Sequence, residues 1–299
     1  MRPYPHKSLL TLLIAWLVMG MLVFTGCSSP FDPEETEQKH NIAANPSNET
    51  TLPGLSTPRH NNKNAMAEAG QLQKEQDKLL KPAYLTFDDG PNTDFTQKIL
   101  AILKKEQVKA SFIVIGTNVE KNPTILKEIQ EEGHAIINHT YSHDYNIIYQ
   151  SPQQLLADLQ KNRSLIQSIT GIDTSIFRAP GGPSNLKKAY REALAREGYK
   201  SLGWNISSGD SDPAGVTAEQ IYANIVSGLD YIETTSLTPI VLMHDGTQLA
   251  SLDAQEGSAN YHYIQSRNSD IEALPKVIQL FKERGYTLLP VDMNTPEAW

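Results

Sequence analysis

The chain has 299 residues, of which 39% are hydrophobic, enough for one large domain with a full core and additional segments. Its 34 acidic against 26 basic residues give a formal net charge of −8, which leaves no basic surplus of the kind that binds nucleic acid or an anionic lipid surface. A single cysteine excludes an intramolecular disulfide framework.

Taken in order, the chain begins with an export signal. Arg2 and Lys7 precede a nearly unbroken apolar run, 9–24, and Thr25, Gly26 and Cys27 are followed by Ser28, Ser29 and Pro30. The run is on the short side for a membrane span, which needs about 20 residues. Its small-residue ending resembles the lipobox of a bacterial lipoprotein, which implies cleavage before Cys27 and acylation of the Cys27 thiol. Phe24 departs from the smaller aliphatic residue usual three places before that cysteine. The alternative is an uncleaved single-helix anchor. Either way the expected location is extracytoplasmic, with the protein tethered to the outer face of the cytoplasmic membrane.

From residue 28 to 80 the sequence is rich in Asn, Pro, Ser, Thr and charged residues without apolar periodicity, the composition of a disordered, solvated stalk. A helical turn or two is expected within 65–80, and His40 and His60 lack metal-ligand spacing. The expected organisation is therefore a signal or anchor over 1–27, a polar linker over 28–80 and a folded domain over 81–299.

Within that domain apolar runs alternate with helical patterns. Strands are expected at 83–87, 110–115, 135–137, 175–177, 199–204, 239–243 and 286–289. The intervening helices are expected at 95–106, at 123–132 with Asn122 as cap, and at 152–170 with Ser151 as cap and Gly171 as terminator. Three more follow at 186–197, at 218–231 opened by a Thr217–Gln220 capping box, and at 271–284. About seven strand-helix units in strict alternation imply a parallel α/β sheet with right-handed crossovers, open or closed into a barrel. The polar residues favour the barrel. Asp88 and Asp89 follow the first strand, His139 the third, Arg178 the fourth, Asp210 the fifth and His244 the sixth, and a barrel gathers such strand ends on one face.

The chemistry centres on TFDDGP, where two adjacent carboxylates sit at a strand end, and on HTYSH. His139 and His143 are spaced i, i+4, so one helical turn would bring both imidazoles to one side. With Asp89 they make three protein ligands and leave positions for water and substrate, the pattern of a hydrolytic zinc site. Asp88 is then the candidate base, and His244, in LMHDG, the candidate acid. Arg178 can orient Asp88, and Asp210 can hold His244 in one tautomer and favour its protonated form. His134 beside Gly133 reads as structural.

The ordered blocks TFDDGP, HTYSH, RAPGG, SSGD and LMH resemble the five motifs of the polysaccharide deacetylases, carbohydrate esterase family 4, with a NodB homology domain. The resemblance covers residue 82 to the C-terminus. It implies a distorted (β/α)7 barrel and a divalent metal, usually Zn2+, with Co2+ as a substitute. It further implies removal of acetyl groups from N-acetylated glycans such as peptidoglycan or chitin, or from O-acetylated xylan. It gives Asp88 the role of base, Asp89, His139 and His143 those of ligands and His244 that of acid, with Arg178 and Asp210 in support. Gly181 stands where many members carry an aromatic residue whose backbone N–H helps hold the oxyanion. Ser207 and Ser211 replace the first Asp and the Trp usual in the fourth motif, so Leu242 is expected to form more of the acetyl-methyl pocket.

A polar loop is expected from 245 to 270, either a mobile surface insertion or one wall of a glycan groove in which Tyr261, His262 or Tyr263 offers a ring to a sugar face. The expected partners are thus a glycan and, through a lipid anchor, the membrane. N-deacetylation of a cell-wall or surface glycan is the leading reading. An O-acetyl esterase and a catalytically weak glycan-binding module are the alternatives.

Overall fold

The computed structural model describes residues 80–247, 249 and 252–298. Residues 1–79, with the apolar run, Cys27 and nearly all of the polar linker, lie outside the described residues. Among the described residues eight strands alternate with helices, except that β5 leads directly to β6. The first half runs β1 (Pro82–Asp88), α1 (Thr96–Glu106), β2 (Ser111–Val114), α2 (Gly116–Lys121), α3 (Pro123–Glu131), β3 (Ala135–Asn138), α4 (Tyr145–Ile148), α5 (Pro152–Thr170) and β4 (Ile176–Phe177). A short 3-10 turn at Pro183–Asn185 leads to α6 (Lys188–Arg196), β5 (Lys200–Ser201), β6 (Ile206–Ser207), α7 (Ala218–Ile232), β7 (Ile240–His244), α8 (Ala259–Glu283) and β8 (Thr287–Leu288).

All strand pairs are parallel, in the order β5-β4-β3-β2-β1-β7-β6, and β8 pairs with the first residues of β1. This is the curled sheet of a distorted β/α barrel, as the polar residues at the strand ends favoured and the family resemblance implied. The seven-strand path ends at β5 and β6, which share no ladder among the described residues.

β1 sits at the centre of the sheet because both its faces are buried. Ala83, Leu85 and Phe87 pack outward with Phe112, Val114, Val241 and Met243 against the apolar sides of α1 and α8. Tyr84 packs inward with Ile113, Ile137 and Ile240, and Val291 and Ala298 of the C-terminal segment join that cluster. Alternation along the strand then carries Thr86 and Asp88 to the same inner side, and the polar end of β1 opens at the rim.

Several elements differ from the sequence expectation. The strand expected at 199–204 divides into β5 and β6, and α2 and α4 were not anticipated. Asn122 does not cap α3 with its side chain; its amide instead donates to the carbonyls of Pro91 at 3.0 Å and Asn118 at 3.1 Å. The largest difference is α8, which begins at Ala259 with Ser258 accepting from the Tyr261 N–H, so half of the expected loop is helix. The Ser151 cap and the Thr217–Gln220 capping box form as expected. Among the described residues no helix is long and apolar enough to cross a membrane.

Candidate active site

The end of β1 delivers two carboxylates in different directions. Asp88 is the last strand residue, and Asp89 follows in a left-handed conformation with φ of 76°. That region is uncommon for a residue with a Cβ and costs about 1–3 kcal/mol, so surrounding bonds must impose it. The Asp89 N–H donates to Ile113 O at 3.1 Å, the Gly90 N–H donates to the Asp245 carboxylate at 3.1 Å, and Thr96 donates to the same carboxylate at 2.6 Å. A Cβ at Gly90 would lie 2.2 Å from Asp245 Oδ2, so this turn excludes any side chain there. Burial, with Asp89 and Asp88 nearby, pushes the Asp245 carboxyl up to about 8.

His139 and His143 converge, but not on a helical turn. Thr140 and His143 are both left-handed, with φ of 67° and 53°, and the loop is shaped by side chains. Asn138 Oδ1 accepts from the Thr140 N–H, Asp158 Oδ1 from the N–H groups of Tyr141 and Ser142, and Thr140 Oγ1 from the His143 N–H. The result places the two Nε2 atoms 3.2 Å apart, with Asp89 Oδ1 3.5 Å from that of His139 and 3.6 Å from that of His143. Three ligand atoms around a tetrahedral zinc with bonds of about 2.0–2.1 Å stand about 3.3 Å from one another. The three residues are buried, and Asp89 Oδ1 has no hydrogen-bond partner, an orphaned acceptor that a cation would satisfy.

The protonation states suit that role. His139 Nδ1 lies 2.8 Å from Arg178 O, and a carbonyl only accepts, so Nδ1 carries the proton and Nε2 presents its lone pair. Burial lowers the His139 pKa to about 4, which keeps the ring neutral. Burial alone would raise Asp89, but the side chains of His244, His139, His143 and Arg267 hold it below its ordinary value.

Asp88 and His244 are partners across the β1–β7 ladder, so both emerge at the same level of the barrel mouth. Arg178, fully buried, donates from Nη1 to Asp88 Oδ1 at 2.6 Å and to Thr86 Oγ1 at 2.8 Å. Asp88 Oδ2 lies 3.7 Å from His139 Nε2, at the edge of the ligand cluster. His244 Nδ1 is 2.9 Å from both oxygens of Asp210. Burial works against charge on His244, yet the Asp210 carboxylate outweighs it and raises the imidazole above its ordinary value.

Sequence reasoning missed the residues that hold Asp210. Arg267 on α8, fully buried, donates to Asp210 Oδ2 at 2.9 Å and to Gly246 O at 3.1 Å, and Asp270 Oδ2 lies 3.5 Å away. The Arg267 guanidinium also covers the Tyr263 ring at 4.2 Å, and the Tyr263 hydroxyl donates to Asp89 Oδ2 at 3.1 Å. Of the two acids beside Arg267, Asp210 is held far below its ordinary value by His244 and Arg267 against the effect of burial. Asp270 is pushed well above its own by burial and by Asp210. The available signal was the spacing of Tyr263, Arg267 and Asp270, which continues the buried stripe of Leu274, Val277 and Phe281 toward the N-terminus. Tyr263 therefore does not lie in a loop with its ring open to a sugar, as the loop reading had it.

Gly181 follows β4 with φ of 71°, beside the Tyr145 hydroxyl, and the Tyr145 ring stands edge-on to His143 at 5.5 Å. Leu242 lies two residues before His244 on β7, buried and on the same side of the strand. Ser207 ends β6 and is exposed. His134 lies apart: its Nδ1 accepts from the Ala110 N–H, and burial lowers its pKa to about 4, in keeping with a structural role.

A parallel β/α barrel that sets two imidazoles and a carboxylate at its strand ends, with a further carboxylate and imidazole paired on adjacent strands, has the architecture of a metal-dependent hydrolase. The polysaccharide deacetylase family model matches residues 75–202. A peptidoglycan N-acetylglucosamine deacetylase of Bacillus cereus is 31% identical over 203 residues, 67% of this chain and 69% of the relative. The catalytic domain of the peptidoglycan N-acetylglucosamine deacetylase of Eubacterium rectale superposes with a TM-score of 0.58 at 31% identity, over 73% of this chain and 91% of that one. A family 4 carbohydrate esterase of Streptococcus mutans gives 0.59 at 26% identity, over 74% and 90%. The chain belongs to the polysaccharide deacetylases, and members of this family depend on a metal.

Proposed function

We propose that the protein removes acetyl groups from N-acetylglucosamine residues of a cell-wall glycan, with peptidoglycan as first substrate and chitin-like oligomers as its soluble equivalents. The observation that carries this reading is the β1–β7 register, which sets Asp88 and His244 side by side with the Asp89, His139 and His143 cluster next to them. The relatives named for that activity on peptidoglycan support the substrate class.

Asp89, His139 and His143 would hold a divalent ion, and two imidazoles with one carboxylate favour zinc, with cobalt as a working replacement. Bound there, such an ion supplies a water of lowered pKa and polarises the acyl oxygen. The chain's own groups then divide the proton transfers. Asp88, its Oδ1 fixed by Arg178, takes the proton of the attacking water at Oδ2 as oxygen adds to the acyl carbon. The Gly181 N–H donates to the oxygen as negative charge develops. His244, with Nδ1 on Asp210, gives its Nε2 proton to the nitrogen as the C–N bond breaks, leaving acetate and a free amine on the sugar. Leu242 forms the apolar floor for the acetyl methyl.

The proposal extends to place. On the composition of residues 1–27 the domain is held outside the cytoplasmic membrane by a lipid on Cys27. Incorporation of labelled fatty acid, lost in Cys27→Ser, tests that part.

The catalytic reading is tested by acetate release from N-acetylglucosamine oligomers and purified peptidoglycan, with zinc or cobalt added to chelator-treated full-length protein. Metal-dependent release, abolished together with metal uptake in His139→Ala, is the expected result. A folded, metal-loaded protein that releases acetate from neither substrate refutes it and turns the search to O-acetylated glycans.

A further inference from the structure

Beside the metal cluster, the loop after β4 carries two adjacent bare residues, Gly181 and Gly182, with φ of 71° and 94°. Each admits an aromatic side chain from elsewhere. A Cβ on Gly181 would lie 2.8 Å from the Tyr145 hydroxyl, and one on Gly182 would lie 2.7 Å from Cη2 of Trp204. Tyr145 lines the small depression that contains ligand His143. Trp204 lines a separate cavity of about 620 Å³ that begins at Gly181 and is bounded by Ser201 of β5, by Gly203 and Trp204 in the link from β5 to β6, and by Glu297 and Ala298. The glycine pair is thus the seam between the reacting centre and a second chamber.

That chamber has the size of a small-molecule site, for which about 300–1,000 Å³ is usual. Its wall combines the half-buried Trp204 ring with Ser184, Ser201, Arg191 and Glu297. Ser201 Oγ is shielded from solvent and has no hydrogen-bond partner, a cost the fold bears unless a ligand relieves it. Arg191 and Glu297 offset each other in charge, so the chamber does not select an ion. A ring to stack on, the Ser184 hydroxyl at the rim and no net charge suit a neutral sugar, which offers one apolar C–H face and a girdle of hydroxyls. Trp204 also packs on the Arg178 guanidinium at 5.5 Å, the group that fixes Asp88, so an occupant of the chamber lies one side chain from the base.

We infer that the cavity at the link from β5 to β6 binds a neighbouring N-acetylhexosamine of the same glycan strand, stacked on Trp204 while the reacting sugar lies at the metal cluster beside Tyr145. The inference rests on the glycan reading above and adds to it a second sugar site and a requirement for chain length. Wild-type protein should therefore bind the N-acetylglucosamine tetramer far more tightly than the monomer.

Binding to the full-length protein is measured by saturation-transfer NMR and titration, which need no turnover. Ser184→Phe, which fills the chamber from its exposed rim, should raise the Kd for the tetramer about tenfold, and Glu297→Ala, at an exposed position, about threefold. Should Ser184→Phe not fold, Glu297→Ala and the wild-type ratio of tetramer to monomer affinity decide the matter. Normal acetate release with the same tetramer Kd in wild type and variants overturns the second site and leaves the deacetylase reading intact. Tetramer binding that weakens in the variants of a protein unable to release acetate overturns the deacetylase reading and keeps the site.

Discussion

The two halves of the active site are built by different means. On the ligand half, Asp88, Asp89, His139, His143 and Arg178 each lie at the end of a paired strand or in the loop after it. Their positions are set by backbone bonds and by polar side chains close at hand, such as Asn138 and Thr140. On the acid half, His244 leans on Asp210, Asp210 on Arg267, and Arg267 on Asp270 and the ring of Tyr263, a chain of buried charges that reaches across to α8. The first half contains one buried ion pair, Arg178 with Asp88, and is otherwise placed by strand ladders and loop groups. The second is a run of buried charges, and Tyr263 is where they meet, through its bond to Asp89.

Four substitutions break or sharpen that comparison. Asp88→Asn keeps a partner for Arg178 but removes the base, and kcat for acetate release should fall by about 10²–10⁴ while the fold is retained. Arg267→Met strikes the other half through stability. It leaves Asp210 and Asp270 buried without their cation, and urea unfolding should show a loss of about 3–5 kcal/mol. A loss below about 1 kcal/mol would mean that the acid half does not depend on α8.

Tyr263→Phe is the probe of the joint. It removes one hydrogen bond to Asp89 and should weaken metal affinity about 10–100-fold in competition with a chromogenic chelator, with little change in unfolding free energy. Asp210→Asn gives the mildest effect, seen in the pH profile. In the wild type Asp210 raises the His244 pKa against the effect of burial, so with His244 as the proposed acid activity should persist to higher pH. Without the carboxylate burial prevails and the pKa falls. The alkaline limb of kcat/KM should move to lower pH, and a limb that stays in place would remove His244 from the role of acid.

Much of the ligand half was legible from residues alone because strand ends and turn residues declare themselves locally. TFDDGP reads as a strand that stops on two carboxylates, and RAPGG places Arg178 after a strand; the structure confirms both positions. The HTYSH pair was found for a reason that did not hold. Spacing suggested a helical turn, whereas two left-handed residues and the Asn138 and Asp158 acceptors bring the rings together. The N-terminal half of α8 was missed because its buried face carries Arg267 and Asp270 where a periodicity search expects apolar residues. Only the spacing of Tyr263, Arg267 and Asp270, in phase with Leu274, Val277 and Phe281, separates such a face from a solvated loop.

By itself the sequence determined the alternation of strands and helices, the parallel sheet that follows from it, and the residue types at the strand ends. Those depend on hydrophobic periodicity, capping and turn chemistry, which act over a few residues. Only the tertiary structure decided that Asp88 stands beside His244, that Arg267 holds Asp210 in place, and that β5 and β6 share no ladder among the described residues. Register, the pairing of buried charges and the choice of strand partners are set by the simultaneous packing of segments distant in the chain. Their energies exist only once those segments have met.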